Sequence, residues 1–213
     1  MTITATDWGP KVGQRSPWGN IQDSTEIADG IHNVGTPGHG GVKLDRQRNA
    51  KVPAYMRQRG GWYEEDSDWC IPAIVFEKEW REWADGTKQT TGDQQIDHAK
   101  ATFINWHPEA YAKWNDVPLE SLAGKSRRYD EKVWNEVHAN DLIVISAVGD
   151  WHKDCSKGNV LVTATVGGKR AQGFPGARQF FVPADEYAAR EGFGFVVDPS
   201  RHNEVVKVAD GTS

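Results

Sequence analysis

The 213-residue chain is predicted to be an α+β protein: antiparallel sheet packed by several helices, with hairpin strands near the N-terminus and a sheet-rich C-terminal part. Three observations predict it. Short apolar alternations between Ile21 and Leu44 are broken by Asp29-Gly30 and by a Gly-rich turn. From Ile74 to Val137 apolar residues recur three and four apart. After Leu142 the chain reads as short continuous apolar runs between glycines.

The elements follow in order. Residues 1–18 are polar and broken by Gly and Pro, and read as a lead-in. Between Trp18 and Val34 two strands are expected, joined by a hairpin turn at Asp29-Gly30. Val42 and Leu44 mark a third strand, and Asp45 is placed to cap a helix. Pro53 is expected to open a second helical piece, residues 53–59, ended by Gly60-Gly61. Ile74, Phe76, Trp80 and Trp83 predict a helix closed at Asp85-Gly86, irregular at its start because Pro72 lacks an N–H. Residues 86–94 read as a surface loop. Ile96, Ala99, Phe103 and Trp106 predict the next helix, and Pro108 opens another. Tyr129, Val133, Trp134 and Val137 form one face of a third, ending at Asn140. Strands are expected in LIVISAVGDW, NVLVTATV, RQFFVP and GFGFVVDP, with a short helix over ADEYAAR stopped by Gly192. One continuous domain, 1–213, is the expected organisation, with two lobes divided near 86–94 as the alternative.

Composition narrows the function classes. A net charge of -5 and a pI near 5.8 oppose a protein that lives on a nucleic-acid backbone, although a local basic patch leaves nucleic acid open as a partner. No run approaches the roughly 18 apolar residues of a membrane span, so no membrane partner is expected. The first residues lack the cationic start and apolar stretch of a signal peptide, which points to the cytoplasm. Cys70 and Cys155 form no CxxC pair, so neither a disulfide framework nor a zinc knuckle is indicated. Ten tryptophans against seven phenylalanines put large rings with an N–H to satisfy at the edge of a core or at an interface.

Candidate chemistry concentrates in Thr36–Asp66. His39 sits among Gly38, Gly40 and Gly41, where backbone N–H groups can converge and an imidazole can approach a ligand; the structural alternative is a plain hairpin turn. Glu64, Glu65 and Asp66 follow Trp62 and Tyr63. In an extended segment Glu64 and Asp66 share a face and, with His39, offer ligands for a divalent cation, the one cofactor the sequence leaves room for. Helix capping is the competing role. His39, Glu65 and His152 are the catalytic candidates. Trp62, Tyr63, Arg46, Arg48, Arg57 and Arg59 are the candidates for a binding face, because aromatic and arginine side chains anchor interfaces. A solvated charged face is the alternative for these cations, which include Lys43 and Lys51. Asp150, His152 and Cys155 follow a buried strand, where catalytic loops often lie, or form a polar turn. His202 shows no partner in sequence.

The blocks WGNIQ, GIHNVGTPGHGGVKLDRQRNAKVP, GGWYEEDSDW, GDWHKDCSKGNVLVTATVGG, FFVPADEYAAR and GFVVDP together resemble a domain of unknown function found in bacteriophage and plasmid proteins. The resemblance implies a mobile genetic element and an infected or plasmid-bearing bacterial host, and it carries no catalytic residues with it. The expected function is an accessory protein that binds a host or phage macromolecule, a protein first of all, and interferes with a bacterial immune system such as CRISPR or restriction. The alternatives are a metal-assisted hydrolase or transferase acting on a nucleotide or nucleic acid, and a structural component of the virion. Oligomeric state is not legible.

Overall fold

Strand pairing in the first half follows the hairpin signals. A computed structural model describes residues 8–87, 89–190 and 192–205, and the chain gathers into two units, Met1–Tyr129 and Asp130–Ser213. In the first, β1 (Arg15–Ser16) and β2 (Gly19–Asn20) make a small hairpin. A four-stranded antiparallel sheet runs β3-β4-β5-β6: Asp23–Ala28, Ile31–Gly35, Gly40–Leu44 and Trp62–Glu64. Asp29-Gly30 makes the β3–β4 turn as expected, and Thr36–His39 makes the next. Asp45 caps α1 (Arg46–Lys51), its Oδ1 accepting the Arg48 N–H at 2.6 Å.

Four helices follow in this unit, α2 (Cys70–Val75), α3 (Glu77–Thr87), α4 (Gly92–Trp106) and α5 (Pro108–Asn115), and α6 (Arg127–Val137) starts at its end and lies mostly in the second unit. Ile31, Val42, Leu44 and Tyr63 of the sheet join Ile71, Phe76, Trp80, Ile96, Ala99 and Phe103 of the helical layer in one buried cluster. Three expectations need correction. The one helix expected through Ile74, Phe76, Trp80 and Trp83 breaks at Phe76, whose φ of -115° and ψ of 43° end α2 before α3 begins. Residues 53–59 form no α-helix: a single turn bonds the Met56 N–H to Pro53 O, and the Arg57 side chain takes the carbonyls of Ala50 and Val52. The loop expected over 86–94 shrinks, because α3 runs on to Thr87 and Thr91 with Gln94 forms a capping box that starts α4. Gly92 allows that tight connection, since a Cβ there would sit 2.8 Å from the Arg81 Cα. Lys88 lies outside the described residues.

The second unit is a five-stranded antiparallel sheet ordered β10-β7-β8-β9-β11. Its strands are β7 (Leu142–Val148), β8 (Asn159–Val166), β9 (Arg178–Pro183), β10 (Val196–Val197) and β11 (Asn203–Glu204), with α7 (Ala184–Ala188) after β9. Val162, Ala164, Phe180, Val182, Phe195 and Val197 form its buried cluster. The chain is therefore α+β, as predicted, and the short strands β1, β2, β6 and β11 are those that apolar patterning missed. No helix among the described residues is long and apolar enough to cross a membrane.

Three carboxylates of the second unit carry a pH consequence. Burial raises the Glu186 carboxyl, but hydrogen bonds and charge from Arg201 and His202 outweigh it and hold the pKa below the ordinary value. Hydrogen bonds from Ser200, then Arg201, lower Asp198, and the two-pronged bond from Arg178 lowers Glu204. A carboxyl whose folded pKa lies below its unfolded one contributes stability above the unfolded value and loses it as pH falls through the folded value. Urea midpoints measured from pH 7 to 3 should therefore be flat down to about pH 5 and fall below about pH 4. In Arg201→Met the acid limb should be shallower; an unchanged limb would remove the Arg201 pairs with Glu186 and Asp198 as its cause.

Candidate functional site

Register on β5 and β6 decides which aromatic faces outward. Lys43 pairs with Trp62, Val42 with Tyr63 and Gly41 with Glu64. Since neighbours on a strand point to opposite faces, Tyr63 goes with Val42 into the core and Trp62 goes with Lys43 to the other side. Tyr63 is fully buried. Its hydroxyl donates to Asn49 Oδ1 at 2.7 Å and accepts the Gln58 N–H at 3.3 Å. Burial pushes its phenol pKa up, against the Gln58 bond and the Arg57 charge. Tyr63 is thus a core residue with a satisfied hydroxyl, and the structure does not offer it as a contact residue.

Trp62, half-buried, stands on the outer face, edge-on to Trp18 with ring centres 5.6 Å apart. Lys43 Nζ lies 5.1 Å from the Trp62 ring and 5.8 Å from that of Trp8, and donates to Leu44 O and Gly60 O. Burial lowers the Lys43 pKa, partly offset by the Asp45 charge. Trp8, Pro10, Lys11, Arg15, Lys43 and Trp62 surround a recess of about 310 Å³. Two tryptophans and three cations, Lys11, Arg15 and Lys43, give the recess groups that can contact an anion and an apolar or aromatic surface. Sequence reasoning missed Trp8, Lys11 and Arg15. The signal was present: tryptophans interleaved with cations between Trp8 and Trp18 in a segment with few other apolar residues.

The four arginines separate by role. Arg48 is largely buried: it bonds Glu79 Oε1 at 2.5 Å and Asp29 O at 2.9 Å and lies over the Phe76 ring. Burial raises the Glu79 carboxyl, but the bond and charge of Arg48 outweigh it, and the pKa falls below its ordinary value. Arg57 closes the end of α1 through Ala50 O and Val52 O. Both are tied into the fold. Arg46, Arg57 and Arg59 are exposed, and of these Arg57 is the one held to the end of α1 by the bonds just described.

His39 sits at the other end of the same strand pair. Thr36 locks the turn: its hydroxyl donates to His39 O at 2.6 Å and accepts the His39 N–H at 3.2 Å. The Glu65 N–H donates to Gly40 O at 3.2 Å, which brings the carboxylates beside the turn. His39 Nδ1 lies 3.6 Å from Glu65 Oε1 and 3.9 Å from Glu64 Oε1. One ligand atom from each of the three falls within 4.8 Å of the others, the sole such group among the described residues. Asp66 stands outside it. The strand ends at Glu64, whose carboxylate accepts the N–H groups of Asp66 and Ser67 at 2.9 and 3.1 Å, and the strand alternation that would align Glu64 with Asp66 stops there. Glu64 therefore closes the turn that follows β6, while α2 begins at Cys70 with Trp69 as its N-cap and no side-chain cap bond, so the expected helix-capping role is not found. One imidazole nitrogen and carboxylate oxygens are a donor set suited to a divalent transition metal.

The 149–158 turn of the second unit is held by its own bonds. Asp150 accepts the Gly158 N–H at 3.2 Å, His152 Nδ1 accepts the Asp154 N–H at 3.3 Å, and the buried Cys155 thiol donates to Asn159 O at 3.2 Å. These bonds describe a closed turn and do not pair the His152 imidazole with the thiol. His202 is buried after all: it accepts the Asp198 N–H on Nδ1 at 3.1 Å and has Glu186 Oε1 3.2 Å from Nε2.

Comparison with known proteins adds one finding. Residues 11–139 match the model of a domain of unknown function, DUF7007. No curated protein and no solved structure matches the chain.

Proposed function

We propose that this chain, which belongs to the DUF7007 family through residues 11–139, acts by binding a host or phage macromolecule through the Trp62 recess. The observation that carries the reading is the recess itself: Trp62, Trp8, Lys43, Lys11 and Arg15 converge on a chain whose net charge is -5. A cationic-aromatic patch on an acidic protein selects an anionic partner and steers its approach. An acidic protein segment is the partner class we assign, with single-stranded nucleic acid as the competing outcome of the test. On this reading the protein is an accessory of a mobile element with a counter-defence role in the cytoplasm of the bacterial host, and the resemblance to phage and plasmid proteins is what supports that part of it.

The test is capture from a host lysate with tagged full-length wild type, Trp62→Ala and Arg15→Glu, at low and high salt, with nuclease-treated and untreated arms. A stoichiometric protein retained by wild type, weakened at least tenfold by either substitution and weakened by salt, is expected. Equal retention by all three proteins would overturn the reading.

The trio His39, Glu64 and Glu65 supports a second reading, a metal-assisted hydrolase or transferase acting on a nucleotide or nucleic acid. There Glu65 or His39 would serve as the base and the trio would hold the ion. Saturable Mn²⁺ or Zn²⁺ binding that His39→Ala abolishes, together with no captured partner, would favour it.

A further inference from the structure

A second concave site lies on the opposite, helix-covered face of the same sheet. Trp69, Trp80 and Trp83 wall a pocket of about 290 Å³, with Ile27 and Val42 at its floor and Glu65, Asn33, Gln95 and His98 completing it. That volume is near the small end of ligand pockets, which start at roughly 300 Å³. It belongs wholly to the first unit.

The rings do not form a slot for a flat ligand. Trp69 and Trp80 are 6.0 Å apart and tilted by 37°, and Trp80 and Trp83 are 6.0 Å apart at 68°. His98 closes on Trp69 edge-on at 5.1 Å. A planar base sandwiched between two aromatic faces needs them parallel and separated by about twice a stacking distance; these rings touch each other at steep angles instead. Walls that meet at angles enclose a compact, rounded group.

Charge selects what that group is. No lysine or arginine lines the pocket, and Glu65 is its one carboxylate. Aromatic faces carry negative electrostatic potential, so three indoles with a carboxylate at the margin stabilise a cation whose own hydration is weak. The three indole walls supply no lone pair to a small inorganic ion, and among the described residues Glu65 joins a three-ligand group only with His39 and Glu64, which do not line the pocket. The Glu65 carboxylate, half-exposed and also 3.6 Å from His39 Nδ1, sets a negative charge at the margin that attracts a cationic group more than a neutral one. Trp80 itself is only 4% exposed, and its Nε1–H has no acceptor among the described residues, so its ring is held here by packing against Trp69 and Trp83 and not by a hydrogen bond.

We propose that the pocket walled by Trp69, Trp80 and Trp83 binds an organic ammonium group, with Glu65 as its counter-charge. A trimethylammonium group fits the angled walls, and Asn33 and Gln95 at the rim offer amide donors and acceptors to the rest of the molecule. The group has two sources, a free metabolite or a methylated lysine side chain on a protein. The site is independent of the Trp62 recess, with which it shares no lining residue.

The experiment is titration of the full chain at pH 8 with tetramethylammonium chloride, followed by tryptophan fluorescence and by calorimetry, against the neutral isostere 3,3-dimethyl-1-butanol and with EDTA present throughout. Saturable millimolar binding of tetramethylammonium, at least tenfold tighter than the isostere, is expected. Glu65→Gln, which alters a half-exposed side chain, should weaken it about tenfold, and Trp83→Ala should abolish it while Trp83→Phe retains part. Choline tighter than a trimethyllysine peptide would assign the site to a free ligand, and the reverse order to a protein modification. Absence of saturation by tetramethylammonium, equal affinity for the isostere, or full affinity in Glu65→Gln each overturns the proposal.

Discussion

Tyr63→Ala is expected to lower the stability of the chain by about 3–5 kcal/mol, while Trp62→Ala changes it by less than about 1 kcal/mol. The two residues are adjacent in sequence and equally aromatic, so the contrast isolates what strand register does. Tyr63 is fully buried among Val42, Leu44 and Val52, and its truncation removes a large ring and also strands Asn49 Oδ1 and the Gln58 N–H, which it now satisfies. Tyr63→Phe, which keeps the ring and loses the hydroxyl, should cost about 1–3 kcal/mol. Trp62 faces the recess, and its loss should appear in partner capture with the fold intact. Urea denaturation of the three variants by circular dichroism measures this. A Trp62→Ala midpoint as low as that of Tyr63→Ala would mean that Trp62 supports the fold, and would withdraw it from the binding face.

Gly41→Val is the second large effect, expected to cost about 3 kcal/mol or more and to disturb the recess. A Cβ at residue 41 would lie 2.1 Å from Tyr63 O and 2.5 Å from Trp18 Cη2. The first obstacle is backbone within the β5–β6 ladder, which cannot rotate aside; the second is the ring that braces Trp62. The φ of +156° adds to the strain of any side chain there. Gly38→Ala is the matched control: nothing lies within 4 Å of its added Cβ, and its midpoint should stay within about 0.5 kcal/mol of wild type. A near-neutral Gly41→Val would show that β6 is not held in this register, and with it would go the assignment of Trp62 to the outer face.

Local signals were sufficient for much of the architecture. Asp29-Gly30 as a turn, Asp45 as a cap, Pro108 opening α5 and the apolar runs of β7, β8 and β9 each depend on a few neighbouring residues, and each is found where the chain predicts it. The failures are places where distant residues compete. Residues 53–59 carry a helical start signal, but the carbonyls at the end of α1 capture Arg57, and Met56 is buried in the core. Residues 86–94 are polar enough for a loop, yet α3 and α4 pack so closely at Arg81 and Gly92 that only a short turn fits.

The candidate residues divide in the same way. That Thr36–Asp66 concentrates functional side chains was readable from composition, and so was the nearness of His39 to the carboxylates as an idea. Which carboxylates it meets was not: Glu65 joins Glu64 because the strand ends there, and Asp66 is left outside. Arg48 looked like a surface cation until Glu79, 31 residues later, arrived beside it on α3. The tryptophan pocket was invisible because its walls come from α3 and the turn before α2, and its carboxylate from the end of β6.

Sequence by itself determined the class of the protein, its main hairpins and helices, and the stretch in which its chemistry lies, because propensity, capping and apolar period act over a few residues. Tertiary structure alone decided that Trp62 faces a recess while Tyr63 is buried, that Arg48 and Arg57 serve the fold, and that three tryptophans enclose a pocket. Those outcomes depend on the register of β5 against β6 and on helices that reach the sheet from far along the chain, where no local preference acts.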